Sequence, residues 1–305
     1  RGLGDVYKRQ EDTYNVFQLI DAGAVDVFPK PRSHSAQDYE LLKHELISKI
    51  KILSGVAVFT LRRRNKGAMG QASIGEKHTN KESLLNTQHS APIAHKSPTL
   101  PLSPSATPKS IPSSFPKSKI VAIGASTGGP QALQTILANL PKNFPLPIVC
   151  VQHISEGFLP GLINWLGAEC KLPVKIATIG EWPQPGMVYF PPEGRHLELS
   201  SQGRFVYSVS PPLSGHRPSV TVTFNSLAKF YGSSTLGILL TGMGRDGAEG
   251  LLAISQAGGM TIAQDEATSI VFGMPKEAIA LGAAKFILPV HEIAPYLLDR
   301  LKNKV

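Results

Sequence analysis

Three side chains that are suited to acyl transfer each follow a short apolar run that is predicted as a strand. In a parallel sheet the carboxyl ends of the strands meet at one edge, so residues that follow them lie close together. A serine, an imidazole and a carboxylate at such an edge supply a nucleophile, a general base and a group that orients the base. The sequence therefore predicts these catalytic residues: Ser126 after 120–124, His153 after 147–151, and Asp246 beyond 236–240.

The turn that carries Ser126 is rich in glycine. Gly124-Ala-Ser-Thr-Gly128 matches G-x-S-x-G, a pattern that exposes a nucleophilic serine between a strand and a helix. Pro130 suits the first turn of the following helix, and the N–H groups of Thr127 and Gly128 are placed to bind an oxyanion. A turn of this composition is also typical of a phosphate cradle, and the serine alone does not decide between the two.

Other residues compete for the roles of base and orienting acid. His196 lies in a predicted antiparallel insertion, where a surface or packing role is favoured, and His216 precedes a helix entry that could face the substrate. Asp265 also follows a strand end, and Asp246 could instead cap the next helix. His153 and Asp246 are our candidates because each follows the end of a predicted strand, and the residues alone leave the competing choices open.

The order and spacing of the motifs argue against several classes of protein. The order serine, histidine, aspartate differs from the serine, aspartate, histidine order of α/β-hydrolases. The turn is not G-x-G-x-x-G and no acidic residue lies near position 145 to hold a ribose, which argues against a dinucleotide site. The sequence has no metal-ligand cluster, and we expect neither a metal nor another cofactor.

The composition predicts a cytoplasmic protein without membrane insertion. No apolar run reaches the roughly 18 residues of a membrane-spanning helix, and no signal-peptide pattern occurs. Two cysteines, Cys150 and Cys170, fit a reducing compartment, and Cys150 is predicted as a core residue. Of the net charge of +9, residues 62–118 carry +7, from nine Lys or Arg and two Glu. The charge thus lies in a low-complexity segment, and no nucleic-acid partner is predicted.

Alternating strands and helices from residue 119 predict an α/β fold with a doubly wound, mainly parallel sheet. Three short strands near 187–190, 195–199 and 204–208 are predicted as a small antiparallel insertion. The catalytic domain is assigned to 119–303. Residues 54–118 are rich in Pro, Ser and Lys and predict a flexible, disordered linker. Residues 1–10 show no periodicity and stay uncertain, with a non-native origin as one interpretation.

Residues 11–53 resemble the end of a response-regulator receiver domain. The resemblance rests on Asp21-Ala-Gly-Ala-Val-Asp-Val-Phe-Pro-Lys-Pro31, a short helix before it and a longer helix after it. It implies that Lys30 is the lysine that contacts the phosphorylated aspartate, which would lie upstream of Arg1. We therefore interpret this part as a C-terminal remnant that cannot act as a phosphorylation switch, and the chain as a fragment.

Residues 119–303 resemble the catalytic domain of the chemotaxis protein-glutamate methylesterase (CheB) family. The order receiver, linker, esterase fits that family too. The matching segments are Ile123–Gly129, Gln152-His153, Pro191-Pro192 with Gly194 and His196, His216–Ser219, Leu240–Gly247, Gln264-Asp265 with Thr268-Ser269, and Gly273–Pro275. The resemblance places the family's catalytic serine, histidine and aspartate at Ser126, His153 and Asp246. Met243 and His216 join Thr127 and Gly128 as candidates for oxyanion or substrate binding.

This resemblance implies hydrolysis of glutamyl methyl esters on methyl-accepting chemotaxis receptors, and deamidation of receptor glutamines. It also implies regulation by a chemotaxis histidine kinase in two-component signalling, which the truncated receiver calls into question here. We expect basal activity that phosphorylation does not gate. Two alternatives stay open at this point: a serine esterase of the same fold that acts on another ester, and a catalytically silent signalling module.

Overall fold

The computed structural model describes residues 16–20, 23–28, 43, 46, 47, 49–51, 53, 54 and 119–302. Lys30, residues 1–10 and the predicted linker beyond residue 54 lie outside the described residues, so the predictions made for them remain predictions. In the described part of the chain, no helix is long and apolar enough to cross a membrane.

A parallel sheet, as predicted, forms the centre of residues 119–302, with seven strands among the described residues. Its strand order is β3-β4-β2-β1-β7-β8-β9, and each pair of neighbours is parallel. The strands are β1 (Ile120–Ala125), β2 (Ile148–Gln152), β3 (Val174–Ile176), β4 (Val188–Phe190), β7 (Thr235–Leu239), β8 (Met260–Gln264) and β9 (Phe286–Leu288). A separate antiparallel pair is formed by β5 (His196–Leu199) and β6 (Phe205–Ser208).

Helices cover both faces of this sheet, because the strands are apolar on both sides. Along β1, Val121, Ile123 and Ala125 contribute to one core, and Ile120 and Ala122 contribute to the other. The first core is shared with α1 (Gly129–Leu137), α2 (Leu159–Glu169) and α6 (Val290–Lys302). The second is shared with α3 (Val220–Tyr231), α4 (Ala248–Gln256), α5 (Met274–Ala280) and the β5–β6 pair. The doubly wound architecture is therefore confirmed.

The strand order creates a crevice at the carboxyl end of β1. From β1 the chain first builds the sheet toward β2, β4 and β3, and it then returns to place β7 on the opposite side of β1. Ligand sites of doubly wound sheets lie at such a reversal of strand order. The loops that follow β1, β2 and β7 meet at this edge.

One detail of the predicted insertion is wrong. The strand near 187–190 belongs to the main sheet, where β4 pairs with β2 and β3, and only β5 and β6 are antiparallel. All three residues of β4 are buried, which fits a strand with helices or strands on both faces. The pairing partner of so short a strand is set by tertiary contacts that the local pattern does not contain.

The described part of residues 16–28 packs on the helical layer formed by α1 and α2. Residues 16–20 are helical, and the helix ends before Gly23, which adopts φ +105°. Phe17 is fully buried and stacks on Trp165, with 5.9 Å between the ring centroids. Residues 24–28 form neither helix nor strand, and the carbonyls of Ala24 and Val25 accept hydrogen bonds from the Gln131 side chain.

The burial of Phe17 predicts that residues 16–20 contribute to stability. We expect Phe17→Ala to lower the free energy of unfolding by about 3 kcal/mol, because it removes a buried ring from a packed contact. Leu19→Ala is the control, since Leu19 is 57% exposed on the same turn. Its effect should stay within about 0.5 kcal/mol in the same urea titration. Equal effects of the two changes would show that this segment does not pack as described.

Candidate active site

The turn that holds Ser126 begins where β1 ends. The Ser126 N–H donates to the carbonyl of Thr241 at 3.0 Å, and the Ser126 carbonyl accepts from the N–H of Gly129 at 2.8 Å. Gly128 has φ +75° as the residue before α1, and a Cβ there would lie 2.7 Å from the side chain of Ile270. The turn therefore requires glycine at this position for both its backbone conformation and its space.

The predicted oxyanion groups lie on the same turn. The hydrogen bond that closes the turn uses the N–H of Gly129. Among the described residues, the N–H groups of Thr127 and Gly128, at the start of α1, donate no hydrogen bond. Met243 is 37% exposed in the loop after β7. Its neighbour Gly242 packs directly against Ser126, since a Cβ at position 242 would lie 2.6 Å from the Ser126 Cβ. The structure thus places Thr127, Gly128 and the Met243 loop around Ser126.

His153 and Asp246 form a buried pair beside this turn. Nε2 of His153 and Oδ2 of Asp246 are 2.8 Å apart, and their side chains are 7% and 1% exposed. An ionised carboxylate only accepts hydrogen bonds, so Nε2 carries a proton, and in the neutral imidazole Nδ1 then presents a lone pair. Nδ1 is buried and has no hydrogen-bond partner among the described residues. This tautomer is the one a general base requires.

Asp246 is held by the amino terminus of α3. Its carboxylate accepts hydrogen bonds from the Ser219 hydroxyl at 2.8 Å, the Val220 N–H at 2.8 Å and the Thr221 N–H at 3.1 Å, besides the bond from His153. The end of a helix dipole and three donors stabilise its negative charge. Asp246 therefore caps a helix, as its alternative interpretation proposed, but that helix is α3 and the carboxylate also reaches His153.

These contacts determine the ionisation of Asp246. Burial alone would raise the pKa of the carboxyl. The hydrogen bond and charge of His153, together with hydrogen bonds from Ser219 and Thr221, lower that pKa well below its usual range. The carboxylate is consequently ionised throughout the neutral range, and it accepts the hydrogen bond from Nε2 of His153.

His216 lies flat against His153. The two ring centroids are 3.8 Å apart and the planes differ by 8°. Burial, followed by the charge of His153, lowers the pKa of His216 to about 4, although Asp246 acts in the opposite direction. His216 is therefore neutral at neutral pH, so its stacked ring would not repel an imidazolium at His153.

The competing residues have other contacts. His196 is fully buried, where its Nδ1 accepts from the Ser219 N–H at 3.2 Å and its Nε2 lies 3.3 Å from the Pro211 carbonyl. The carboxylate of Asp265 accepts from the N–H of Thr268 at 3.0 Å and from its hydroxyl. His196 thus supports the start of α3, and Asp265 closes a turn after β8.

Sequence reasoning gave no role to two residues of the site. Ser219 is the N-cap of α3 and links Val222 to Asp246, and a serine directly before an amphipathic helix could have signalled that cap. Gln152 ends β2, and its side chain reaches both the Ser126 and the His153 backbone. A buried glutamine at the end of a strand gives no local pattern that identifies it.

The chain is similar in sequence to known proteins over most of its length. The family model described as CheB methylesterase matches residues 121–297. A protein from Nitrosospira multiformis named protein-glutamate methylesterase/protein-glutamine glutaminase is 39% identical over 288 residues, which are 94% of this chain and 72% of the relative. The chain belongs to the CheB methylesterase family. This confirms the resemblance on which the predictions for residues 119–303 were based.

Further CheB relatives agree in sequence and in fold. A protein of the same name from Methanospirillum hungatei is 43% identical over 282 residues, 92% of this chain and 71% of the relative. The crystal structure of the Thermotoga maritima CheB methylesterase catalytic domain superposes with a TM-score of 0.59 at 44% identity. The match covers 60% of this chain and 99% of that domain, which confirms the predicted α/β fold of the catalytic part.

The contrast between Asp246 and Asp265 gives a prediction. Asp246→Asn would place an amide opposite Nε2 of His153 and favour the other tautomer, so we expect turnover to fall on the order of 10⁴-fold. Asp265→Asn is the matched control, since the hydrogen bonds of its side chain among the described residues come from Thr268, and it should retain turnover within a few-fold. Both are measured as the rate of ester hydrolysis. A damaging Asp265→Asn with a harmless Asp246→Asn would contradict the assignment.

The lowered pKa of His216 predicts a dependence of stability on pH. Its folded value, about 4, lies below the ordinary 6.5, so the folded state binds fewer protons than the unfolded state between these values. The wild-type protein should lose stability relative to His216→Phe as the pH falls from 6.5 to 4. Above pH 7 the difference between the two should be constant. Urea titrations at several pH values measure it, and curves that stay parallel from pH 7 to 4 would contradict the prediction.

Proposed function

We propose that this chain hydrolyses methyl esters of glutamyl side chains in a protein substrate, with Ser126 as nucleophile. The hydrogen bond of 2.8 Å between Nε2 of His153 and Asp246 carries the proposal, because it leaves Nδ1 as a buried proton acceptor. Relatives named protein-glutamate methylesterase/protein-glutamine glutaminase supply the reaction class.

The first half of the proposed reaction forms an acyl-enzyme. The Ser126 hydroxyl oxygen attacks the ester carbonyl carbon while Nδ1 of His153 takes the hydroxyl proton. The N–H groups of Thr127 and Gly128 stabilise the negative charge that develops on the carbonyl oxygen. The C–O bond to the methoxy group then breaks, and His153 returns the proton to that oxygen, so that methanol leaves.

The second half restores the enzyme. A water molecule attacks the acyl carbon, its proton passes to His153, and the bond to the Ser126 oxygen breaks as that oxygen regains the proton. A glutamyl carboxylate is released. Deamidation of glutamine follows the same route, with ammonia in place of methanol, and this agrees with the double name of the relatives. The charge of Asp246 stabilises the imidazolium in both halves.

A cavity of about 340 Å³ beside the catalytic pair is suited to the substrate. Its lining includes Gln152 and Arg217, which adjoin His153 and His216 in sequence, and apolar side chains from β4 and α2. Such a concave, partly apolar surface is typical of a binding site. We assign it to residues that flank the reacting glutamyl group. Met243 and His216 would border the same substrate.

The substrate that we propose is the cytoplasmic part of methyl-accepting chemotaxis receptors. A cytoplasmic location of the enzyme follows from that assignment. This proposal rests on membership of the CheB methylesterase family and on relatives named protein-glutamate methylesterase/protein-glutamine glutaminase. The mechanism requires only the side chains described above. Sensory adaptation is the process that it would serve.

Release of methanol from a methylated receptor fragment tests the function. Ser126→Ala should lower the rate on the order of 10⁴-fold or more, because it removes the covalent route. Ser201→Ala is the control, since Ser201 is an exposed serine outside the site, and its rate should stay within about twofold.

The same assay distinguishes the alternatives. The proposal is supported if the wild-type protein releases methanol and Ser126→Ala abolishes this release. Wild-type protein that hydrolyses simple esters but leaves methylated receptor unchanged would contradict the substrate. A wild-type protein that hydrolyses neither would contradict catalysis altogether.

A further inference from the structure

Gln152 joins the backbones of the two reacting residues. It is the last residue of β2 and is 4% exposed. Its side-chain amide donates one hydrogen bond to the carbonyl of Ser126 and one to the carbonyl of His153, both at 2.8 Å. An amide nitrogen has two hydrogens, so both are used, and one side chain links the nucleophile's turn to the base's turn.

The bridge lies where the main-chain ladder ends. Ala125 pairs with Gln152, and the N–H of His153 donates to the carbonyl of Ala125 at 3.0 Å as the last bond between the two strands. Beyond it Ser126 and His153 diverge into separate loops. Among the described residues, the Gln152 amide is the group that hydrogen-bonds to both the Ser126 carbonyl and the His153 carbonyl.

The amide oxygen of the Gln152 side chain is in a less favourable environment than the amide nitrogen. Oε1 of Gln152 is buried and has no hydrogen-bond partner among the described residues. Its space exists because residue 129 is glycine, since a Cβ there would lie 1.9 Å from Oε1. A buried acceptor without a partner lowers stability, and such features are found where function requires them.

We infer that Gln152 is a positioning residue that sets the distance between Ser126 and His153 for proton transfer. It acts through the backbones of Ser126 and His153 and exchanges no proton. The carbonyl of Ser126 is fixed by two donors, Gly129 N–H and the Gln152 amide, and this fixes the backbone from which the hydroxyl projects. Small displacements of reacting groups lower rates strongly. The inference rests on the proposed role of Ser126 as nucleophile.

The rate at which a small serine-directed phosphonate labels Ser126 tests the inference. This reagent reports the reactivity of the hydroxyl without the binding of a protein substrate. Gln152→Met keeps the length of the side chain and removes both donors, and we expect it to slow labelling and kcat about 10- to 100-fold. KM for the receptor ester should change less than kcat, because Gln152 is only 4% exposed and both of its amide hydrogens are bound by the two carbonyls.

Two further variants separate positioning from stability. Thr235→Val removes a buried hydrogen bond of 3.2 Å to the Leu227 carbonyl at the amino end of β7, far along the strand from the site. It should be labelled at the wild-type rate. Gln152→Glu keeps the shape of the glutamine. A carboxylate has no donor and a carboxylic acid has only one, so neither form can bridge both carbonyls, and labelling should be slow as well.

The outcomes are distinct. Slow labelling of both Gln152 variants, with normal labelling of Thr235→Val, supports the inference. Labelling of folded Gln152→Met or Gln152→Glu within about twofold of wild type would overturn it, as would an equal loss in Thr235→Val. If the wild-type protein itself is not labelled at Ser126, the proposed nucleophile is wrong, which is a different failure.

Discussion

The buried carboxylate of Asp246 is the group on which the geometry of this site depends. A charge with 1% side-chain exposure is unfavourable unless donors surround it. The amino terminus of α3 and the Ser219 hydroxyl supply three of them, and His153 supplies the fourth. The start of α3 stabilises the ionised form of Asp246, and this carboxylate in turn accepts the hydrogen bond from Nε2 of His153. The same contacts therefore serve both the stability of the fold and the orientation of the imidazole.

The sheet brings the rest of the site to that carboxylate. Adjacent strands β2, β1 and β7 end at one edge, so residues far apart in sequence become neighbours without long loops. The crevice beside β1 receives the Ser126 turn, and close approach of the loops depends on glycine at positions 128 and 242. Around this centre lie His216, which stays neutral against His153, and Gln152, which links two backbones.

Much of this arrangement could be predicted from the sequence. Apolar runs and Gly-rich turns located the strands of the catalytic domain, and the rule that sites lie at strand ends selected Ser126, His153 and Asp246. The prediction assigned β4 to the wrong sheet, because a buried run of three residues does not specify its neighbours. The stacking of His216 and the bridge by Gln152 were not predictable, since both depend on distances between loops that only the folded chain establishes.

The central claim is that ester hydrolysis passes through a covalent bond to Ser126. Acid quenching during turnover of a methylated receptor fragment, followed by mass spectrometry of the peptide that contains Ser126, tests it directly. The account predicts a peptide joined through the serine oxygen to the substrate glutamyl group, with the mass of methanol lost. An unmodified Ser126 peptide, together with turnover that persists in Ser126→Ala, would contradict it.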